Sequence, residues 1–259
     1  MKLGLSSASF YGRLETEDAA KHLTDFTLDT CEVFLETFSE YSADFGRVVH
    51  EKLGALPCGS VHPKGTQFEG DLFGRSVRQR ADALRIFTGV CDAGQALGAK
   101  YYVMHGPGMI NSKVTPDRIY LLTSVVPQMQ AIARARGMEV LWENVSWCAV
   151  NTPETVWRLL DILPDINFVL DTKQAFRAGQ DPCAILSAMG SHIRHVHALD
   201  WDADGSLALP GSGVMDWPRL MGQLRDLGYD GNVILEPYAT MTENEDDLRR
   251  SLDFLRKHL

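Results

Sequence analysis

Short apolar runs alternate with segments of helical spacing along the whole chain, and this alternation restricts the folds open to the sequence. Helical spacing is clearest from Ser76 to Leu97, where apolar or small residues recur every three or four positions. The eight runs that read as strands are Lys2 to Ser7, Asp29 to Leu35, Leu56 to His62, Ala99 to His105, Met138 to Asn144, Asn167 to Thr172, Ile193 to Leu199 and Asn232 to Pro237. Such alternation predicts parallel strands joined by crossover helices. Because the runs follow one another without a linker or a shift in composition, the sequence favours a closed barrel over an open doubly wound sheet.

The length and composition fit a single domain of the α/β class, a (β/α)8 TIM barrel that spans residues 1–259. A chain of 259 residues is close to the usual length of such a barrel, and a hydrophobic fraction of 45% is enough for a large buried core. The 34 acidic residues outnumber the 25 basic ones, which gives a formal net charge of −9, and no basic tract occurs. Nucleic acid is therefore a disfavoured partner.

The absence of targeting signals and the cysteine pattern both predict a soluble, cytoplasmic protein that does not enter a membrane. The N-terminal stretch MKLGLSSASFYG lacks the long apolar segment of a signal peptide, and no run of about 18 apolar residues occurs. The cysteines are odd in number, scattered and never in a C-x-x-C pair: Cys31, Cys58, Cys91, Cys148 and Cys183. This pattern argues against a disulfide framework or a structural zinc site and predicts reduced thiols.

Glycine and proline mark the predicted helix ends. Glycines that follow helical segments, as C-terminal caps often do, are Gly98, Gly137 and Gly228. Prolines lie at three helix starts, where the missing amide proton costs nothing: Pro116, Pro153 and Pro218. These positions predict where several of the crossover helices begin and end.

Three acidic residues and a histidine lie at or within one residue of the C-terminal ends of strand-like runs: Glu143, Asp171, His197 and Glu236. In a (β/α)8 barrel such strand ends point toward the common active-site face. A carboxylate at the barrel mouth, flanked by apolar residues, must be paired or metal-bound to avoid a large desolvation penalty. Three carboxylates and one imidazole suit Mn2+, Mg2+ or Co2+, whereas Zn2+ is compatible and Ca2+ is less apt because of the nitrogen ligand. The alternative is that each group caps a strand end or pairs with a barrel lysine or arginine.

A series of motifs resembles the sugar phosphate isomerase/epimerase superfamily of xylose isomerase-like TIM barrels, which includes ketose 3-epimerases and is distantly similar to endonuclease IV. The motifs extend from the second strand to the eighth: DTCEVFLETF, SVHP, VMHGPG, LWENV, VLDT, HVHALD, PGSGVMDWPRL and LGYDGNVILEP. The resemblance implies that one divalent metal is bound by Glu143, Asp171, His197 and Glu236. It also implies that Glu143 and Glu236 face the substrate carbon from opposite sides as an acid/base pair. His62 and His105, at the ends of the third and fourth strands, are implied to contact the substrate.

The predicted chemistry is isomerisation or epimerisation of a small ketose, keto-sugar or keto-acid, with or without a phosphate group. Such a reaction needs a base, an acid and a Lewis acid, and the metal would hold the carbonyl and an adjacent hydroxyl to stabilise a cis-enediolate. One glutamate would take the proton, and the other would return it to the opposite face of the same carbon or to the neighbouring carbon. A dehydratase of the inosose or dehydroshikimate type would instead expel a β-hydroxyl from the same site, and this lyase is the main alternative.

Two positions depart from other members of this superfamily. Gln174 stands where much of the family has the histidine of a D-x-x-H pattern, which makes a trinuclear zinc site hard to build. Its amide is predicted to hydrogen-bond a substrate hydroxyl instead. Ala203 stands where some ketose 3-epimerases carry an arginine. An endonuclease IV-like nuclease is disfavoured, while a metal-independent hydroxypyruvate isomerase-like activity and a non-catalytic sugar-binding protein stay open.

Aromatic and basic residues also lie near the predicted barrel mouth. The tryptophans there fit either stacking on a sugar or ordinary packing: Trp142, Trp147, Trp201 and Trp217. Three further aromatic residues are expected near the pocket: Phe10, Tyr11 and Phe34. Lys173 follows a strand rather than ending it, and no apolar run encloses it, so a Schiff-base role is not expected. The family resemblance implies a homo-oligomer, often a dimer or tetramer.

Overall fold

The computed structural model describes residues 1–108 and 116–259. The strands of its main sheet are β1 (Lys2–Ser6), β2 (Thr30–Leu35), β3 (Cys58–Pro63), β4 (Tyr101–Met104), β5 (Glu139–Glu143), β6 (Asn167–Asp171), β7 (Ile193–Ala198) and β10 (Asn232–Leu235). In the described ranges they close into one parallel barrel, in the order β1-β10-β7-β6-β5-β4-β3-β2. Two short strands, β8 (Asp200–Trp201) and β9 (Leu207–Ala208), pair antiparallel in the segment after β7. The predicted single (β/α)8 barrel is confirmed.

Helices connect the strands and cover the outside of the barrel. They are α1 (Thr16–Leu23), α2 (Ala43–Leu53), α3 (Glu69–Leu72), α4 (Val77–Leu97), α5 (Pro116–Arg134), α6 (Pro153–Ile162), α7 (Thr172–Arg177), α8 (Pro182–Met189), α9 (Trp217–Asp226) and α10 (Glu245–His258). Single 3-10 turns occur at Ser7–Phe10, Phe38–Glu40, Gly65–Gln67, Gly190–His192 and Ala239–Met241. Among the described residues, no helix has the length and apolar character needed to cross a membrane.

The helix ends follow the capping pattern predicted from glycine and proline. Helix α4 begins after Ser76, whose side chain accepts a hydrogen bond from the backbone N–H of Gln79. The helix is capped at its C-terminal end by Gly98, which has φ 76°. Helix α6 begins at Pro153 behind the side-chain cap of Thr152. Left-handed backbone at Gly98 is strained for any residue with a Cβ, so glycine is the natural residue there.

Alternation along the strands divides the apolar side chains between two layers. Outward-facing residues such as Trp142 and Leu170 belong to the large core between barrel and helices. Val103, Leu141 and Val169 form a separate small cluster, which the alternation places inside the barrel. Two residues further along each strand, the same alternation points the next side chains into the barrel mouth. Polar side chains from several strands therefore meet at the barrel mouth.

Candidate metal and active site

The four residues predicted to form a metal site come together at the barrel mouth. Glu143 and Asp171 are the last residues of β5 and β6, His197 is next to last in β7, and Glu236 follows β10 directly. One potential ligand atom from each of the four lies within 4.8 Å of the others. All four are buried, with Glu236 the most accessible at 8%. Parallel pairing of β6 with β7 sets Asp171 beside His197, which fixes half of the cluster through backbone register.

His197 connects the carboxylates of this cluster. Its Nδ1 lies 3.0 Å from Glu143 Oε1 and 3.3 Å from Glu236 Oε2. Its Nε2 lies 3.1 Å from Glu32 Oε2 on the opposite side of the ring. Burial acts against the charged ring, but the carboxylates of Glu236 and Glu32 outweigh it and hold the pKa of His197 well above its usual value. The imidazole is therefore a cation that is shared among three acids.

Glu32, in the middle of β2, is a buried member of the site that sequence reasoning did not single out. Its Oε2 accepts from Ser60 Oγ at 2.8 Å and lies 3.2 Å from His195 Nε2. Its Oε1 accepts from Ser6 Oγ at 3.2 Å. A fully hydrogen-bonded carboxylate stays an acceptor, so it keeps the proton on His197 Nε2 and turns Nδ1 toward the cluster.

The cluster contains two buried oxygen atoms that make no hydrogen bond to any described residue, Glu143 Oε2 and Asp171 Oδ2. Asp171 uses its other oxygen, Oδ1, to accept from the backbone N–H of Gln174 at 2.8 Å and so caps α7. Buried carboxylate oxygens without partners are costly unless a cation faces them. Three carboxylates and Nδ1 of one imidazole make a hard, mixed oxygen and nitrogen donor set. The residues present therefore fit a divalent metal ion.

His62 and His105, predicted to contact the substrate, lie beside Glu143. Their Nε2 atoms are 3.7 Å and 3.5 Å from Glu143 Oε2, and their ring centroids are 4.8 Å apart. Burial opposes the charge on His62, but Glu143 raises its pKa to about 9. Burial, together with the nearby His62 cation, lowers the pKa of His105 to about 4. At neutral pH the pair therefore consists of one imidazolium and one neutral imidazole.

Glu69 supports His105 from behind and was also missed by sequence reasoning. It is buried in α3, where Oε2 accepts from the His105 backbone N–H at 3.1 Å and Oε1 accepts from the Tyr102 hydroxyl at 3.3 Å. Burial raises its pKa to about 8. No pattern in the stretch GTQFEGDLFG distinguishes this glutamate from an exposed one.

Gln174, the third predicted substrate contact, lines the cavity and also holds a neighbouring loop. Its Oε1 accepts from the backbone N–H of Ser146 at 3.2 Å and from Ser146 Oγ at 3.0 Å. The side-chain carbonyl thus has partners within the protein. The amide group remains the part of Gln174 suited to a substrate oxygen.

Lys173 lies inside the site, so the expectation that nothing encloses it was wrong. Helix α7 starts at Thr172, directly after β6, and its first turn carries Lys173 into the barrel mouth. The side chain is buried, with Nζ 3.1 Å from Glu236 Oε2 and 3.3 Å from Asp171 Oδ2. Burial opposes its charge, but Asp171 and Glu236 prevail and raise the pKa of Lys173. The ammonium therefore stays charged in the resting site.

A cavity of about 540 Å3 opens above these groups, a size that suits a small molecule such as a monosaccharide. Its lining residues are Ala8, Tyr11, Phe34, His62, Lys64, Thr66, His105, Glu143, Lys173, Gln174, Glu236, Pro237, Tyr238, Ala239 and Thr240. Tyr11 and Phe34 thus lie where the sequence placed them. Phe10 instead packs in the core, with its ring centroid 4.8 Å from that of His22.

The tryptophans near the mouth serve different purposes. Trp142 and Trp217 are buried packing residues at 1% exposure. Trp201 stacks on Phe176, with ring centroids 4.4 Å apart, and the half-exposed Trp147 lies 5.7 Å from the His105 ring. None of these four indoles is among the residues that line the described cavity.

Comparisons with known proteins agree with this architecture. An inosose dehydratase from Lacticaseibacillus casei is 25% identical over 173 residues, which cover 54% of this chain and 58% of the relative. A D-psicose 3-epimerase structure, solved in the presence of D-fructose, superposes with a TM-score of 0.82 at 15% identity, over 100% of this chain and 99% of that one. The structure of the IOLI protein with a bound zinc atom gives a TM-score of 0.74 at 19% identity, over 100% of this chain and 96% of that one.

These comparisons differ in how far they extend. The chain spans about half the length of the curated relatives that it matches, and the structural superpositions concern the fold. The family model described as a xylose isomerase-like TIM barrel, in contrast, matches residues 25–258. The chain therefore belongs to the xylose isomerase-like TIM barrel family.

Proposed function

We propose that this protein is a divalent-metal-dependent isomerase or epimerase of a small ketose or related keto-sugar. The observation that carries the proposal is that Glu143 and Glu236 both approach His197 Nδ1, at 3.0 Å and 3.3 Å. Both glutamates also line the same cavity. Two carboxylates that reach one bound substrate from different strands can remove and return a proton at neighbouring positions.

The residues that would hold the metal are Glu143, Asp171, His197 and Glu236. Mn2+, Mg2+ and Co2+ suit this set best, and Zn2+ is compatible with it. A bound divalent ion would supply a Lewis acid for the oxygens of the substrate. Loading requires the proton on His197 Nδ1 to leave, whereas the Nε2 proton stays on the side of Glu32.

The proton transfer itself is assigned to the two glutamates. One glutamate, as the carboxylate, removes the proton on a carbon beside the carbonyl, and the resulting enediolate receives a proton from the other glutamate, which enters this step as the carboxylic acid. Delivery to the opposite face of the same carbon gives an epimer, and delivery to the adjacent carbon gives an aldose–ketose isomer. His62, protonated at neutral pH and pointed at Glu143, can donate a hydrogen bond to a developing oxyanion.

Dehydration is the second candidate function, and two observations favour it. The curated relatives over about half of the chain are inosose dehydratases. The His62 imidazolium also lines the cavity, where it could protonate a departing hydroxyl after proton removal by a glutamate. This reaction uses the same cavity and the same base.

Mass spectrometry of substrates incubated in D2O tests the proposal. The purified protein, with Mn2+ or with a chelator, is offered a panel of ketoses, inososes and keto-acids. Deuterium uptake that needs Mn2+, with an otherwise unchanged mass, supports isomerase or epimerase chemistry, whereas loss of one water supports the dehydratase. Glu143→Gln and Glu236→Gln should each slow the reaction by at least about 100-fold, the usual contribution of a positioned acid or base. Undiminished exchange in both variants would contradict the assignment of the glutamates.

A further inference from the structure

A buried lysine occupies one side of the candidate metal cluster. Lys173 is 4% exposed, and its Nζ donates a hydrogen bond to Glu236 Oε2 at 3.1 Å. The same atom lies 3.3 Å from Asp171 Oδ2, an oxygen that makes no hydrogen bond to any described residue. Two of the four candidate metal ligands therefore already face a positive charge.

The surroundings of Lys173 hold its ammonium at this position. Its backbone belongs to the first turn of α7, which Asp171 caps through Oδ1. Its Nζ lies 4.8 Å from the ring centroid of Tyr238, and the Tyr238 hydroxyl accepts from Arg177 at 2.6 Å. A fixed aromatic face and two acids thus enclose the ammonium on three sides. Lys173 and Asp171 are held by the junction of β6 and α7, and Glu236 and Tyr238 belong to the segment after β10. Together these segments bury the lysine side chain.

Charge balance shows what the lysine does for the cluster. Glu143, Asp171 and Glu236 bring three negative charges to the barrel mouth, and such charges repel one another in a buried site. Without an ion, the Lys173 ammonium, which faces both Asp171 and Glu236, keeps these acids close enough to form the observed cluster.

From this geometry we infer that Lys173 is a resident cation that a divalent ion must displace from Asp171 and Glu236. The inference rests on the proposed function, because it concerns the same ligands. Lys173 keeps the ligand set assembled in the metal-free protein, and it weakens divalent-ion binding because the incoming ion and the ammonium compete for shared oxygens. The chain thereby sets its own affinity for the ion through a residue that is not a ligand.

Calorimetric titration with Mn2+ tests this inference on the full chain. Lys173→Met should bind Mn2+ at least about tenfold more tightly than the wild type. The repulsion between the ammonium and an ion a few ångström away is large enough to weaken binding by more than this factor. Lys173→Arg, which keeps the charge, should stay near the wild-type affinity. Lys64→Met is the matched control, because Lys64 lines the same cavity but contacts the Tyr11 hydroxyl, 2.5 Å away, instead of the ligand set. Its Mn2+ affinity should not change.

Thermal melting gives a second readout. Metal-free Lys173→Met should melt below the wild type, because its acids lose a counter-charge, and should gain more from saturating Mn2+. Lys173→Gln, a polar neutral variant, serves in its place if the methionine variant fails to fold. Equal or weaker Mn2+ binding by the neutral variants would overturn the inference and leave the metal-dependent function standing. Binding by neither the wild type nor the variants would overturn both.

Discussion

Glu32 does not line the cavity, yet it contacts a candidate metal ligand, His197. It lies within β2, three residues before the end of that strand, and its Oε2 is 3.1 Å from His197 Nε2. Because Ser60, Ser6 and His195 also bind this carboxylate, it has little freedom to move. The orientation of the His197 ring, and which nitrogen faces the ligands, therefore depend on β2, on the other side of the barrel.

Glu32→Gln is expected to weaken Mn2+ binding by about 10- to 100-fold, the usual loss when the hydrogen-bond partner of a ligating histidine is removed. Calorimetric titration of the purified variant measures this. Glu40→Gln is the matched control, since Glu40 is also a buried glutamate but accepts hydrogen bonds from Thr16 and the Glu36 amide, away from the ligands. Equal losses in the two variants would mean that Glu32 acts only through general stability.

Glu69 contributes to the pH dependence of stability in the metal-free protein. Burial raises its pKa from 4.5 to about 8, so between these values the folded chain holds a proton that the unfolded chain has released. The contribution of Glu69 to stability should therefore fall as the pH rises from 4.5 to about 8. His62 continues the fall, because its pKa rises from 6.5 to about 9. Glu69→Gln should flatten the lower part of the curve in urea titrations, and an unchanged slope would contradict this.

The candidate ligands could be predicted from sequence because strand position and residue type coincide there. Glu143, Asp171 and Glu236 each end or follow an apolar strand. A carboxylate at that position must be paired or metal-bound to avoid a desolvation penalty. Glu32 and Glu69 gave no such signal, because their partners come from other strands and only the closed barrel brings them together. Lys173 was misjudged because β6 passes into α7 without a loop, so a residue after the strand still lies in the mouth.

Helices and strands were predicted well where capping residues and periodicity agreed. Helix α4 is an example: the spacing predicts Ser76 to Leu97, and the structure has Val77–Leu97 between the Ser76 cap and Gly98. Strand bounds shift by at most two residues at either end, since pairing with neighbours decides where a strand ends. Periodicity and capping residues do not predict the contacts between helices, because these contacts depend on which helices the barrel places side by side. Helices α2 and α4, which meet at Gly46, illustrate this.

Two helical glycines should respond to alanine in opposite directions. In α2, a Cβ on Gly46 would come within 2.4 Å of the Ala93 carbonyl oxygen of α4, so Gly46→Ala should lower the free energy of unfolding by about 1–3 kcal/mol. In α9, a Cβ on Gly222 meets no described atom within 4 Å, so Gly222→Ala should raise it by about 0.5–1 kcal/mol through helix propensity. Urea denaturation measures both. Similar shifts for the two variants would mean that α2 and α4 do not approach closely at Gly46.

On the scale of the whole molecule, barrel closure is what turns scattered acids into a site. The two ends of the order, β1 and β2, pair in register, so no strand edge remains open in the described barrel. Closure forces the strand ends to converge, and the convergence brings Glu143 from β5 and Glu236 from the segment after β10 to a single histidine. Repulsion between these buried acids therefore lowers the free energy of unfolding of the whole barrel. A cation that reduces the repulsion should raise that free energy.

Saturating Mn2+ should accordingly raise the melting temperature of the wild type. At an ion concentration about 100 times the dissociation constant, binding to the folded state adds about 2.7 kcal/mol. For a chain of this size that corresponds to a rise of roughly 5–10 °C. Asp171→Asn should lose most of the rise, because its Oδ2, which makes no hydrogen bond to any described residue, is one of the atoms that an ion would satisfy. Differential scanning fluorimetry with and without chelator measures both, and an equal rise in the two proteins would mean that Mn2+ stabilises the barrel from elsewhere on its surface.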